Sequence, residues 1–189
     1  MAQIVFLIVV VVLVAIAVFW FIGAYNRLVG LRNRVDTEWA QIDVQLKRRY
    51  DLIPNLVETV KGYAAHERQT LERVIEARNR ALASTGSPQS QAKDENALVG
   101  MLRQLFALSE GYPELKASRN FLQLQQELAN TEDRIQAARR FYNANVRDLN
   151  TRVEVFPSNL VARALGFTKQ EFFEIEDAGI RAPVAVNLS

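Results

Sequence analysis

Apolar residues open this chain almost without interruption and then thin into a periodic stripe. Of the first 22 residues only Gln3 is polar, and residues 4–22 form a continuous apolar run of 19. At 1.5 Å per residue a helical run of that length covers about 28 Å, the thickness of a bilayer's hydrocarbon core. Its many β-branched residues are poor helix formers in water. Lipid offers the backbone no other hydrogen-bond partner, so helix is the conformation left open. Trp20 and Tyr25 fall at the C-terminal edge, where amphipathic rings favour the headgroup layer.

From Leu28 the spacing changes to steps of three and four: Leu28, Leu31, Val35, Trp39, Ile42, Leu46, Tyr50, Ile53, Val57, Val60, Ala64, Leu71 and Val74. Such a stripe predicts a helix packed along its length, with Arg34, Glu38, Gln41, Gln45 and Arg48 on the opposite face. Pro54 removes a backbone donor within this stretch, which predicts a kink or break near residues 51–54. The stripe keeps its phase across Pro54, which favours a kink over a reversal.

Ser84-Thr85-Gly86-Ser87-Pro88 reads as a loop, with Ser87 capping the next helix and Pro88 at its first position. That helix carries Leu98, Met101, Leu102, Leu105 and Leu108 and stops at Gly111-Tyr112-Pro113. A long one follows through Leu115, Leu122, Leu128, Ile135, Ala138, Tyr142, Val146 and Leu149. In the tail, Pro157-Ser158 opens a turn that ends at Gly166, and Thr168-Lys169-Gln170-Glu171 reads as a capping box before Phe172 and Phe173. Residues 179–189, with one charge and one Pro, are expected to be extended. Short loops between long amphipathic helices imply antiparallel neighbours. The expected fold is all-α: an anchor at 1–23, an antiparallel four-helix-type bundle at 24–156, and a tail at 157–189 that either docks on its own domain or meets a partner.

Composition narrows the chemistry. The chain has 189 residues, 23 Lys+Arg against 21 Asp+Glu, and every charge follows residue 26. Without Cys there is no disulfide framework, thiolate metal site or Cys nucleophile. A net charge of +2 does not suggest nucleic acid as a partner. A cleaved leader would want a basic start, a shorter apolar core and a small residue where Ile22 stands, so a retained anchor is expected. No basic residue precedes the run, whereas Arg27, Arg32 and Arg34 follow it closely. The positive-inside rule then puts the N-terminus outside and the bundle in the cytosol.

Several stretches together resemble the LemA family of small bacterial membrane proteins. They are Tyr25-Asn26 after the anchor, residues 49–57 (Arg-Tyr-Asp-Leu-Ile-Pro-Asn-Leu-Val), and Phe141-Tyr142-Asn143 with Val146-Arg147 and Asn150. The tail adds Phe156-Pro157-Ser158-Asn159-Leu160-Val161-Ala162, Gly166-Phe167 and Glu171-Phe172-Phe173. Leu149 departs from the pattern, which leads one to expect an aromatic there. The resemblance implies one N-terminal span in the bacterial cytoplasmic membrane, a domain of antiparallel helices and no established catalytic activity. It also ties relatives to magnetosome-membrane formation and to gene neighbourhoods of membrane zinc peptidases.

Catalytic candidates are few. His66 is the only His, with Tyr63 three positions before it, so the paired Glu-x-x-His motifs of a di-iron bundle are missing. Thr70 stands where a zinc-peptidase helix needs its second His, and there is neither a phosphate loop nor a Gly-x-Ser-x-Gly elbow. His66 therefore reads as a surface helix residue, and no catalytic, cofactor or metal site is expected. Arg27, Arg32 and Arg34, together with Trp20 and Tyr25, are candidate membrane-interface residues. The arginines either set topology alone or also meet anionic headgroups, at about 1 kcal/mol each. Lys47-Arg48-Arg49 reads as a solvated face or, less readily, a contact for an acidic partner. Tyr50, Pro54, Asn55, Tyr142, Asn143, Arg147, Asn150, Phe156, Pro157, Asn159 and Phe167 are the candidate structural or interaction residues. Asn is a mediocre helix former, so Asn55, Asn143, Asn145, Asn150 and Asn159 suggest hydrogen bonds between helices or to the tail. The function expected is a scaffold that meets lipid and assembles with its own copies or other proteins, losing assembly when 157–189 is deleted. The alternative is an adaptor or regulator of a membrane peptidase.

Overall fold

The computed structural model describes residues 1–175, and these are helical apart from short connections and an irregular stretch at the end. In chain order the elements are α1 (Ala2–Lys61), a single 3-10 turn (Ala65–Glu67), α2 (Arg68–Ala83), α3 (Pro88–Ser109), α4 (Pro113–Lys116), α5 (Arg119–Glu154) and α6 (Ser158–Ala164). Two compact units share the two longest helices. One comprises Met1–Thr37 with Tyr142–Gln170, the other Glu38–Phe141 with the described residues 171–175.

In the first unit, α1 begins as an apolar helix whose side chains all face outward, from Ala2 to Gly23. It is long and apolar enough to cross a membrane. From Leu28 onward Leu28, Leu31 and Val35 are buried, as are Tyr142, Val146 and Leu149 of α5 and Val161 and Ala162 of α6. Ser158 begins α6, and its hydroxyl is shared between the carbonyls of Arg152 (2.8 Å) and Val155 (2.9 Å). These are carbonyls at the end of α5, groups that a helix C-terminus otherwise leaves unmet. Gly166 takes a φ of +72°, a left-handed conformation that suits Gly and stops α6.

In the second unit four helical segments surround an apolar core. Ile42, Ile53, Leu56 and Val60 of α1 are fully buried, with Val74 of α2, Leu98, Val99, Leu102 and Leu105 of α3, and Leu128 of α5. Arg78 Nε donates to the Tyr50 carbonyl at 2.8 Å, so α2 folds back along α1. Ser84 Oγ bonds Asp94 Oδ2 at one end of the α2–α3 pair, and Tyr112 OH bonds Glu67 Oε1 at the other, so α3 runs antiparallel to α2. Phe106 and Phe121 face each other at 6.0 Å across the α3–α5 corner. As expected, Ser87 caps α3, with its Oγ accepting from the Ser90 N–H at 3.4 Å and Pro88 at the first position.

Helix α1 continues through Pro54 to Lys61, which excludes a reversal there, in line with the unbroken phase of the stripe. The structure differs from the sequence pattern in three places. The stripe drawn to Val74 instead breaks after Lys61. Its phase survives because Ala64, Leu71 and Val74 are buried from the far side of a tight turn. Leu115 belongs to the four-residue α4, separated from α5 by Ala117 and Ser118. Residues 168–171 do not start a helix. Both backbone groups of Gln170 are held by the Asn150 amide, and Glu171 Oε2 accepts instead from the Gln89 N–H at the start of α3. The expected extended segment at 179–189 lies outside the described residues.

Candidate functional site

The second unit contains a buried charge cluster. Arg49 is fully enclosed, and its Nη1 donates to Glu132 Oε1 at 2.6 Å. Its Nη2 donates to Glu95 Oε2, and the Tyr50 hydroxyl donates to Glu95 Oε1. α1, α3 and α5 each supply charge, so the cluster joins three helices. Burial pushes the Glu95 carboxyl above its ordinary range, with Arg49 acting against that shift. Burial opposes the charge on Arg49 too, but Glu132 and Glu95 outweigh it and hold the guanidinium above its usual value. Tyr50 is pushed upward by burial and by Glu95, so it remains a hydroxyl donor. Arg49 Nε has no partner. With Arg49, Glu95 and Glu132 no more than 5 % exposed, the cluster offers a substrate no access. Its chemistry is that of a charged tie between helices.

This finding corrects the reading of Lys47-Arg48-Arg49 as a solvated face: Lys47 and Arg48 are exposed, but Arg49 is not. The signal was present in the spacing. Arg49 lies three residues after Leu46 and four before Ile53. Glu132 lies four after Leu128 and three before Ile135, and Glu95 lies three before Leu98. All three charges occupy positions on the apolar stripes.

The first unit carries a groove of about 710 Å³ where α1 leaves its apolar stretch, lined by Asn26, Arg27, Arg34, Asp148, Thr151 and Arg152 among others. A smaller, more apolar recess of about 300 Å³ lies against Trp20, Gly23, Ala24, Phe156 and Pro157, and it shares Arg27, Arg152 and Val155 with the groove. Trp20, Arg27, Arg34, Phe156 and Pro157 are thus gathered in one place, whereas Arg32 is exposed and lines neither cavity. Asp148 and Arg152 had no signal in the sequence beyond lying on the polar face of α5.

Some of the other candidate residues take part in packing. Tyr25 meets Phe167 edge-on at 6.3 Å. Asn150 binds the tail backbone, accepting from Gln170 N at 2.8 Å and donating to Gln170 O at 2.9 Å. Tyr142 is buried, Asn143 is half-buried and Arg147 is exposed. Asn55 is exposed, Pro54 lies within α1, and Asn159 Oδ1 is buried without a partner. His66 is exposed, in the 3-10 turn rather than on a helix. Phe173, in the second unit, is fully buried and stands edge-on to Trp39 at 5.1 Å. Among the described residues no three His, Asp or Glu side chains gather to hold a metal ion.

The family model for the LemA family matches residues 38–188. A protein named LemA from Metamycoplasma hominis is 27% identical over 170 residues, covering 87% of this chain and 76% of that protein. A magnetosome protein named MamQ 2, from Paramagnetospirillum magneticum, is 26% identical over 180 residues, covering 82% of this chain. One named MamQ from Magnetospirillum gryphiswaldense is 25% identical over the same length. The chain spans 66% of each of these two magnetosome proteins. None of the three names is that of an enzyme.

Proposed function

This chain belongs to the LemA family, and we propose that it works as a non-enzymatic scaffold, anchored in the bacterial cytoplasmic membrane, that assembles with its own copies and with other proteins. The observation that carries this reading is the continuity of α1. A single helix holds the lipid-compatible stretch and, from Leu28, the first buried layer of the folded part, with no linker between. Anchoring confines copies to a plane and raises their effective concentration, so weak lateral contacts suffice for assembly. Arg27, Arg32 and Arg34, all after the span, favour an external N-terminus and a cytosolic folded part. Relatives named as magnetosome proteins are in keeping with work at a membrane structure.

Light scattering of the full chain in mild detergent at micromolar concentration tests the reading. A high-order species is expected, and a clean monomer overturns it. Deleting 157–189 would remove the buried Val161, Ala162, Phe173 and Ile175, so it is a poor probe of assembly. Leu122→Glu and Leu82→Glu, at exposed apolar positions, probe the surface without touching the core. If crosslinking in intact membranes captures a peptidase and no second copy, the chain is an adaptor instead.

A further inference from the structure

We propose that the groove in the first unit is a binding site for an anionic phospholipid, with the headgroup among Arg27, Arg34 and Arg152 and an acyl chain in the recess beside Trp20. This rests on the membrane placement argued above and is independent of self-assembly. Three arguments support it. The first is charge: three guanidinium groups and one carboxylate, Asp148, line the groove. None of the three arginines forms an ion pair or a side-chain hydrogen bond with another described residue. The cavity therefore has an unmatched positive excess, which a phosphodiester complements in bidentate fashion.

The second argument is depth. Arg27 lies five residues past Ile22, about 8 Å of helix rise, which is the level of the phosphates when residues 4–22 fill the hydrocarbon core. Arg34, about 18 Å past it, is where the outer part of a headgroup would reach. The third argument is the shape and polarity of the site. The recess that continues the groove toward the span is lined by Trp20, Gly23, Ala24 and Phe156. Phe156 is 74% exposed and Val155 50% exposed, an arrangement costly in water and favourable against acyl chains. Gly23 lines the recess and Gly30 the groove, and an added Cβ at either would meet nothing within 4 Å, so a larger side chain can be placed at both positions. An amphiphile with one negative charge fits both halves, whereas a free anion fits only one.

The full chain, purified in mild detergent, is examined by native mass spectrometry with phosphatidylglycerol or phosphatidylcholine added at matched concentration. Phosphatidylglycerol is expected to be retained at least tenfold better. Gly30→Leu, which adds bulk at a lining position where a Cβ meets nothing within 4 Å, and Arg152→Gln are each expected to reduce retention at least fivefold, and Arg32→Gln to leave it unchanged. Circular dichroism melts confirm that each variant is folded. Equal retention of the two lipids, or an equal effect of Arg32→Gln, overturns the proposal. Full displacement of lipid by millimolar glycerol phosphate also overturns it, leaving a site for small anions. Carbonate extraction separates the two readings. Release of the chain from membranes defeats the anchor itself, whereas an anchored chain without lipid preference defeats only this site.

Discussion

Arg49 and Glu132, 83 residues apart in the chain, meet at 2.6 Å with both side chains enclosed. Glu95 takes the other arm of the same guanidinium, so one cation from α1 holds a carboxylate from each of α3 and α5. Such a tie contributes little net energy compared with a well-packed apolar substitute. Breaking it strands a charge in the core.

Arg49→Met is therefore expected to cost about 3–5 kcal/mol, because it leaves Glu95 and Glu132 facing each other without a cation. The triple variant Arg49→Met, Glu95→Gln, Glu132→Gln should recover part of that loss. Urea denaturation of the full chain in detergent, followed by far-UV circular dichroism, measures both. A single variant as stable as the parent would show that the cluster is not desolvated.

The same site predicts a pH dependence. Burial raises the Glu95 carboxyl in the folded chain above its unfolded value, so the native state binds its proton more tightly. Glu95 thus contributes most to stability below the ordinary carboxylate range, and this contribution is lost as pH rises through the raised folded value. Denaturation midpoints followed upward from about pH 4, the ordinary carboxylate range, should carry this downward component. Glu95→Gln, which cannot titrate, should flatten it, and an unchanged slope in that variant would count against the assignment.

Asn150 substitutes for a strand partner, satisfying both the N–H and the C=O of Gln170 with one amide. Asn150→Ala should cost about 1–3 kcal/mol. Hydrogen exchange should show the change locally, with the Gln170 amide exchanging faster while the core of the second unit is unaffected. Asn150→Asp keeps the acceptor, loses the donor and should fall between the two.

Orientation can be read with a single introduced thiol, since the chain has no Cys. Thr85→Cys lies in the exposed loop between α2 and α3. A membrane-impermeant maleimide should label it only after cells are permeabilised. Labelling of intact cells would place the folded part outside.

Much of this architecture was legible from local pattern alone. The apolar run, the three-and-four stripes, the Ser87-Pro88 helix start and the Gly166 stop each depend on neighbours within a turn or two. Lipid, water and backbone geometry act on them the same way in any fold. The belonging of the chain to its family could likewise be read from short motifs in order. The sites were less legible. Arg49 stood on an apolar stripe, and nothing nearby says that Glu95 and Glu132 arrive to neutralise it. Asp148 and Arg152 gained meaning only when α5 came to line a groove with Arg27 and Arg34 of α1.

The primary structure by itself determined that the chain is helical, where α3 begins and α6 stops, and most of the faces that avoid water, because those preferences are settled over a few residues. Tertiary structure decided which buried charges find partners, and that the Asn150 amide and the start of α3 claim the groups a helix at 168–171 would have used. Each of those outcomes depends on groups brought together from distant parts of the chain, where desolvation and hydrogen bonding outweigh local propensity.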